Sequence, residues 1–271
     1  MHVIGLGTCG EKICTIISKY KKIKTSVLKG GKGLPLCETH EEYEDNVPKL
    51  GNKLRLGKEK DVWVIVSGAS TCSGAILRVL EQIKDRKVKV VYIRPESFFL
   101  SEIKRKQHRL TYGVLQEYAR SGMIHSLWLF DNKQVGDIVG EGTLQNYYEH
   151  INEAIANVLM NILWFKQSKP IMGSFHEPKE ISRICAVSVG NVKSHSEKSY
   201  FRLDNATETC YLYSVSKADI KENKNLVPKI RTIILNEQET KQATFGVWEN
   251  TYEHSFFYSI KFTHFIQEER T

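Results

Sequence analysis

The sequence predicts an α/β protein: a parallel-sheet domain, then a long helix, then a smaller α+β domain. Three observations predict it. Short apolar runs alternate with segments of helical periodicity through the first part of the chain, the pattern of strand–helix–strand units. Two of those runs end in glycine-rich turns that lead straight into helical patterns. After Pro170 the texture changes to strand-like runs with fewer helices between them.

His2–Leu6 is an apolar strand running into Gly5-Leu6-Gly7-Thr8-Cys9-Gly10. Residues 11–20 carry Ile13, Ile16 and Ile17 at helical spacing, so these glycines sit on a strand-to-helix turn. KGGKGLP (29–35) reads as a second glycine-rich loop and 38–45 as an acidic helix. DVWVIV (61–66) is a buried-type strand that enters Ser67-Gly68-Ala69-Ser70-Thr71-Cys72-Ser73-Gly74, with an amphipathic helix at 75–83. Lys87–Arg94 is the next strand, followed by Pro95 and a helix near 100–121. A strand at 124–130 ends at Asp131-Asn132. A long helix is expected from about Leu144 to Lys166, with Ile151, Ile155, Val158, Leu159 and Ile162 on its apolar face. Beyond it, 184–189, 210–215, 230–235, 243–248 and 255–262 read as strands. The domain boundary falls near 166–172.

With 41% hydrophobic and 26% charged residues, the chain is neither disordered nor collagen-like. No apolar run is long enough for a spanning helix, and the N-terminus lacks the basic and apolar regions of a secretory signal. The six cysteines (9, 14, 37, 72, 185, 210) form no CxxC pair, which fits reduced thiols in a cytoplasmic protein and predicts no metal-ligating cluster. The formal net charge of +8 favours anionic partners: nucleotides, nucleic acid or a membrane surface. The excess gathers at Lys19, Lys21, Lys22 and Lys24 and at Lys53, Arg55, Lys58 and Lys60, and its plain reading is a solvated basic face. No aromatic-studded basic repeat or zinc finger accompanies it.

Gly5-x-Gly7-x-x-Gly10 fits the dinucleotide fingerprint of Rossmann-like sheets. Such a site wants an acidic residue further on for the ribose, and 24–33 offers only lysines and glycines as its distinctive residues. That counts against NAD and leaves an NADP-binding oxidoreductase as an alternative. In the second loop, Gly68, Thr71, Ser73 and Gly74 lie between a buried strand and a helix. Two hydroxyls and several backbone amides at a helix start make a phosphate cradle. It is not a Walker A loop, because no Gly-Lys-Ser/Thr follows.

Two phosphate-type loops on successive sheet elements resemble the tubulin/FtsZ superfamily. GLGTCGEKI is similar to the tubulin pattern GQCGNQI, with Cys9 at its cysteine. GASTCSGA resembles the signature GGGTGSGA: Gly68, Thr71, Ser73 and Gly74 match, while Ala69, Ser70 and Cys72 replace glycines. FDNKQVGDI (130–138) is similar to IDNEALYDI, which makes Asn132 the counterpart of the residue that recognises guanine. Tyr148 stands one helical turn before Asn152, as an aromatic and an asparagine do at the start of the family's central helix. Sharing one helix face, Tyr148 can stack on a purine while Asn152 meets its edge. The resemblance covers nearly all of the chain, and the last strands, 242–247 and 255–265, resemble the closing hairpin of the second domain of FtsZ. The chain stops at Thr271, as a short, divergent member of the kind carried by phages and plasmids would.

The resemblance implies a Rossmann-like GTPase domain over 1–143, a central helix over 144–169 and a smaller activation-type α+β domain over 170–271. It implies GTP or GDP with Mg2+, held by Gly7, Thr8, Cys9 and Gly10 in the first loop and Gly68, Thr71, Cys72, Ser73 and Gly74 in the second. Gly31 and Lys32 would face the γ-phosphate, Glu102 the ribose, and Asn132, Tyr148 and Asn152 the base. In the family a loop of the sense NxDxxD reaches the next subunit's γ-phosphate. The matching stretch here is Met172-Gly173-Ser174-Phe175-His176-Glu177-Pro178. Met172 and Ser174 replace the asparagine and the first aspartate, so Glu177 is the expected water-polarising residue, with His176 second to it. The implied function is a filament that grows head to tail and hydrolyses GTP at the subunit junction, for segregation, virion positioning or division. Its partners would be other copies of the chain, with the lysines open to an adaptor, DNA or a neighbouring filament. The altered loops also suit a non-hydrolysing guanine-nucleotide scaffold or capping subunit.

Overall fold

The computed structural model describes residues 1–20, 23–54, 56–140, 143, 145–177, 179–222, 225–236 and 242–268. Lys21, Lys22, Arg55, Leu144 and Pro178, and the side chain of Lys53, lie outside the described residues. The chain forms two compact units, one of Met1–Val158 with the segment from Ile266, the other of Leu159–Phe265.

In the first unit the strands are β1 (His2–Leu6), β2 (Lys24–Gly30), β3 (Gly33–Leu34), β4 (Asp61–Ser67), β5 (Lys87–Arg94) and β6 (Ser126–Asp131). They pair in parallel in the order β3-β2-β1-β4-β5-β6. The register sets Leu6 beside Leu28 and Val66. β1, β4, β5 and β6 are buried almost throughout, which is why they read as unbroken apolar runs and not as alternations. The helices are α1 (Gly7–Ile17), α2 (His40–Asp45), α3 (Gly51–Leu54), α4 (Ile76–Gln82), α5 (Glu102–Arg120), α6 (Asn132–Val139) and α7 (Tyr147–Gln167), the last running on into the second unit. α5 buries His108, Thr111, Tyr112, Leu115, Gln116 and Ala119, one stripe at helical spacing. The chain's closing segment is held to that helix: Gln267 N donates to Gln116 Oε1 at 2.6 Å, and Gln116 Nε2 donates to Gln267 O at 3.2 Å.

The expected elements of this unit are present with three corrections. The first helix starts at Gly7, not at residue 11, so the glycines form its first turn. The expected loop 29–35 begins inside a strand, because Lys24–Gly30 pairs along β1. Only Gly31 and Lys32 form its turn. The long helix is described from Tyr147.

The second unit contains β7 (Met172–Gly173), β8 (Ile184–Asn191), β9 (Glu197–Ser199), β10 (Glu208–Ser216), β11 (Gln242–Asn250) and β12 (Phe256–Thr263), with α8 (Lys217–Glu222) and α9 (Leu226–Asn236). β10 is buried along its whole length and lies between β12, antiparallel, and β11, parallel. β8 pairs with β12 and β9, and β7 with β11. Two expectations fail here for one reason. Residues 230–235 are helical, because a parallel pair needs a crossover and α8 and α9 supply it between β10 and β11. Leu226 and Ile230, one turn apart, enter the core with Tyr211, Tyr213 and Phe257. Likewise 242–247 and 255–265 do not form a closing hairpin, because β10 separates the two strands. Their connection hooks over the end of β10: Asn250 Nδ2 donates to Ser214 Oγ at 2.8 Å and Ser216 N to Ser255 Oγ at 2.9 Å. Met172 and Gly173, expected in a loop, pair with Val247 and Gly246.

Candidate functional site

In a parallel sheet, ligands bind beyond the carboxyl ends of the strands, at the point where the strand order reverses. Here that point lies between β1 and β4, and both glycine loops leave the sheet there. Gly7 opens α1 at φ +73°, a conformation that L side chains rarely adopt. A Cβ on Gly7 would stand 2.4 Å from Ser70 Oγ and 3.6 Å from Cys72 Cβ, so the two loops touch. α1 and the 3-10 turn Thr71–Ala75 both begin without a side-chain cap. Two helix starts therefore converge with their first amides unanswered by a capping side chain, an arrangement that suits an anion.

The signature-loop residues divide by role. Thr8 is exposed and Cys9, Thr71 and Cys72 are half-buried. Ser73 is buried, and its hydroxyl donates to Ser70 O at 2.6 Å, locking the turn. Gly10 lies beneath the loop, where an added Cβ would come within 2.9 Å of both Gly5 and Ile65 O. Gly68 lies against the Tyr92 hydroxyl and Gly74 against the His40 carbonyl, which a Cβ on Gly74 would reach at 1.9 Å. Gly74→Ala is expected to cost about 1–3 kcal/mol. Urea unfolding checks this, and an unchanged midpoint would contradict it.

The other expected residues fall as follows. Cys9 Sγ donates to Asn152 Oδ1 at 3.1 Å, tying the first loop to α7. Burial pushes the Cys9 thiol up to about 12, against a smaller opposing effect of Lys12, so it stays a neutral donor. Asn152 is buried, as is Asn132, which opens α6 at the carboxyl end of β6. Asp131 caps that helix, its Oδ1 accepting from Gln134 N at 3.1 Å, and Arg94 of β5 holds Asp131 from the side at 2.5 Å. Tyr148 is half-exposed and meets Tyr147 edge to face, with centroids 5.2 Å apart. Lys32 and Lys29 both bind Glu11 in α1, at 3.2 Å and 2.5 Å. The Lys29 hydrogen bond foremost holds the Glu11 carboxyl below its ordinary range.

Glu102, the expected ribose residue, is 80% exposed at the start of α5 and paired with Lys106 at 2.9 Å. Glu96, which sequence reasoning missed, accepts from the Tyr147 hydroxyl at 2.9 Å. Burial, then this bond, push Tyr147 up to about 12. A Cβ on Gly136 would stand 2.4 Å from the same hydroxyl, so Tyr147 bridges α6 and the end of β5. The signal was Tyr147-Tyr148 itself, of which only the second residue matched the family's spacing.

In the second unit Glu177 pairs with Lys166 near the end of α7. Ser174 N donates to Phe245 O at 3.0 Å, fixing the start of the loop. Among the described residues there is no cluster of three side chains able to hold a metal ion, and no helix long and apolar enough to cross a membrane.

No known family profile matches the sequence, and no curated protein does. Solved structures do match. An empty FtsZ dimer from M. jannaschii superposes with a TM-score of 0.73 at 13% identity, over 97% of this chain and 87% of that one. CetZ2 from Haloferax volcanii, a GTPγS-bound protofilament, gives 0.72 at 12% identity over 97% and 92%. A GTPγS-form protofilament of TubZ from Bacillus thuringiensis serovar israelensis gives 0.71 at 14% identity over 97% and 86%. With a parallel first sheet, its order reversing between two glycine loops, and this match over nearly its whole length, the chain has the fold of the tubulin/FtsZ superfamily.

Proposed function

We propose that this chain binds GTP beyond the carboxyl ends of β1 and β4, assembles head to tail and hydrolyses the nucleotide at the junction. The observation that carries the reading is the meeting of two helix starts without side-chain caps at the sheet's reversal point. The amides of Thr8, Cys9, Thr71 and Cys72 would hold the phosphates, and Lys32, already beside α1, would answer the γ-phosphate charge. With no metal cluster among the described residues, Mg2+ would be held chiefly by phosphate oxygens and water. Because the Cys9 thiol donates to Asn152 Oδ1, the amide NH2 of Asn152 is left to donate. It suits the O6 carbonyl of guanine and not the amino group of adenine. Tyr148 offers the stacking face and Asn132 a second contact to the base. Glu96, held by Tyr147, suits the ribose better than the solvent-facing Glu102.

Asn152→Ala is expected to weaken GTP binding by about 5- to 150-fold, from about 1–3 kcal/mol for a buried polar contact left unmade. Equilibrium titration against GTP and ATP measures it, and unchanged affinity would remove Asn152 from the site. Assembly is tested by light scattering: the signal should rise on adding GTP, fall as GTP is consumed, and stay flat with ATP or NADPH. Folded protein that never assembles with GTP would contradict the filament. One observation favours a second reading, a scaffold that binds nucleotide without turnover: the side chain of Ser70 fills space beside Gly7 in the cradle. It predicts nucleotide retained through purification with no phosphate release.

A further inference from the structure

Phe98 and Phe99 are 86% and 67% exposed, in the short turn Ser97–Phe99 between β5 and α5. Large apolar side chains are unfavourable in water, and adjoining exposed ones mark a contact surface. The turn that carries them is fastened. Phe99 N donates to Glu96 O at 3.2 Å and Leu100 N to Ser97 O at 3.1 Å. Arg105 Nε donates to Ser97 O and to Leu100 O, both at 3.1 Å, and Leu100 is buried. Glu96, ahead of the turn, accepts from the Tyr147 hydroxyl. The two phenyl rings stand edge to face, at 84° with centroids 5.4 Å apart. A rigid turn therefore presents an ordered aromatic pair to solvent, so little ordering is left to pay for when a partner covers it. β5 runs parallel to β4 and β1, so the turn leaves the sheet at the end where the two glycine loops lie. A second exposed apolar pair flanks the loop of Glu177: Ile171 and Ile181, 59% and 62% exposed. Ile171 N donates to Val247 O at 2.7 Å. Ser182, next to Ile181, is buried and its Oγ bonds Thr207 Oγ1 at 3.1 Å.

We infer that Phe98 and Phe99 of one copy pack on Ile171 and Ile181 of the next, and that this contact anchors the junction of the filament. The inference rests on the reading of the chain as a head-to-tail assembly in which Glu177 reaches its neighbour's nucleotide. Phe98 follows Glu96, the proposed ribose contact, by two residues. A neighbour that brings Glu177 to the γ-phosphate therefore brings the isoleucines on either side of it to the surface beside the nucleotide, where the two rings stand. A second copy is the occupant because the chain itself carries both halves of the contact. The halves are different surfaces, so each added copy presents a new free pair and growth stays open-ended. The rings thus supply affinity at the junction, and the nucleotide beside them supplies its control.

The test is sedimentation of full-length protein with a slowly hydrolysed GTP analogue over a range of protein concentrations, beside calorimetric GTP binding by unassembled protein. Phe99→Ser and Ile181→Ser should each raise the concentration needed for assembly by about 10-fold and leave GTP affinity unchanged. Combined, they should raise it by clearly less than about 100-fold, because both remove the same contact. In an assembled mixture, a short thiol cross-linker should join Phe99→Cys chains to Ile181→Cys chains, and neither variant to itself beyond the wild-type level. Unchanged assembly in Phe99→Ser, fully multiplicative effects, or no joining of unlike chains would overturn the inference while leaving head-to-tail assembly in place. GTP affinity lost together with assembly would place the rings in the nucleotide site and overturn it too. Binding to anionic phospholipid vesicles that Phe99→Ser abolishes, with assembly intact, would assign the rings to a membrane surface instead. Wild-type protein that never assembles would overturn the underlying reading, and this inference with it.

Discussion

Arg94→Ala is expected to destabilise the protein by about 3–5 kcal/mol. Arg94 leaves β5 at its carboxyl end, and its guanidinium reaches Asp131 Oδ2 through both Nε and Nη2. The two side chains are 12% and 9% exposed, so the pair is shielded from water. Asp131 also caps α6 through Oδ1, so one carboxylate joins two strands and starts the helix that carries Asn132. Removing the guanidinium strips a largely buried carboxylate of its main counter-charge, which costs far more than the pair gains as a pair. Arg94→Met with Asp131→Asn should therefore be less destabilised than Arg94→Ala alone, since an asparagine side chain still caps the helix but carries no charge. Chemical unfolding of the three proteins measures this, and a loss below about 1 kcal/mol in Arg94→Ala would contradict it. Residual folded Arg94→Ala should also bind GTP weakly, because Asn132 follows Asp131 directly.

Glu177→Gln is expected to slow phosphate release by about 100- to 1,000-fold while filaments still form. The substitution keeps the side chain's shape and removes only its charge. Lys166, at the end of α7, holds that charge in the isolated chain. Lys166→Ala should act in the opposite sense, freeing the carboxylate and raising turnover. Filaments of Glu177→Gln should outlast those of the wild type, because nucleotide at the junction stays a triphosphate. Phosphate release under GTP excess, read beside sedimentation, separates the outcomes. A rate within about twofold of wild type would take Glu177 out of the chemistry, since a group that polarises the nucleophile is worth more than that.

How far the sequence reached follows from where its signals are local. The first sheet was legible because each buried parallel strand is an unbroken apolar run ending in turn residues, and Asp61–Ser67 shows it plainly. The two loops were legible for the same reason, since glycine spacing is read along the chain. β2 was missed because a half-buried run such as KTSVLKG lacks that density. Residues 230–235 read as a strand because three isoleucines and a leucine satisfy either period over so short a run. Only the parallel pairing of β10 with β11, a long-range fact, demands a helix there. In the site, Asn132 and Asn152 could be proposed from motif spacing. The Cys9–Asn152 bond and the Glu96–Tyr147 bond join residues far apart in sequence, and nothing along the chain says which residues pair.

Nucleotide binding beyond the carboxyl ends of β1 and β4 is tested most directly by calorimetric titration of nucleotide-free protein with GTP, repeated with ATP and with NADPH as competitors. The account predicts saturable heat for a single GTP on each chain, little displacement by ATP and none by NADPH. Absence of heat with GTP, or displacement of bound ligand by NADPH, would contradict it.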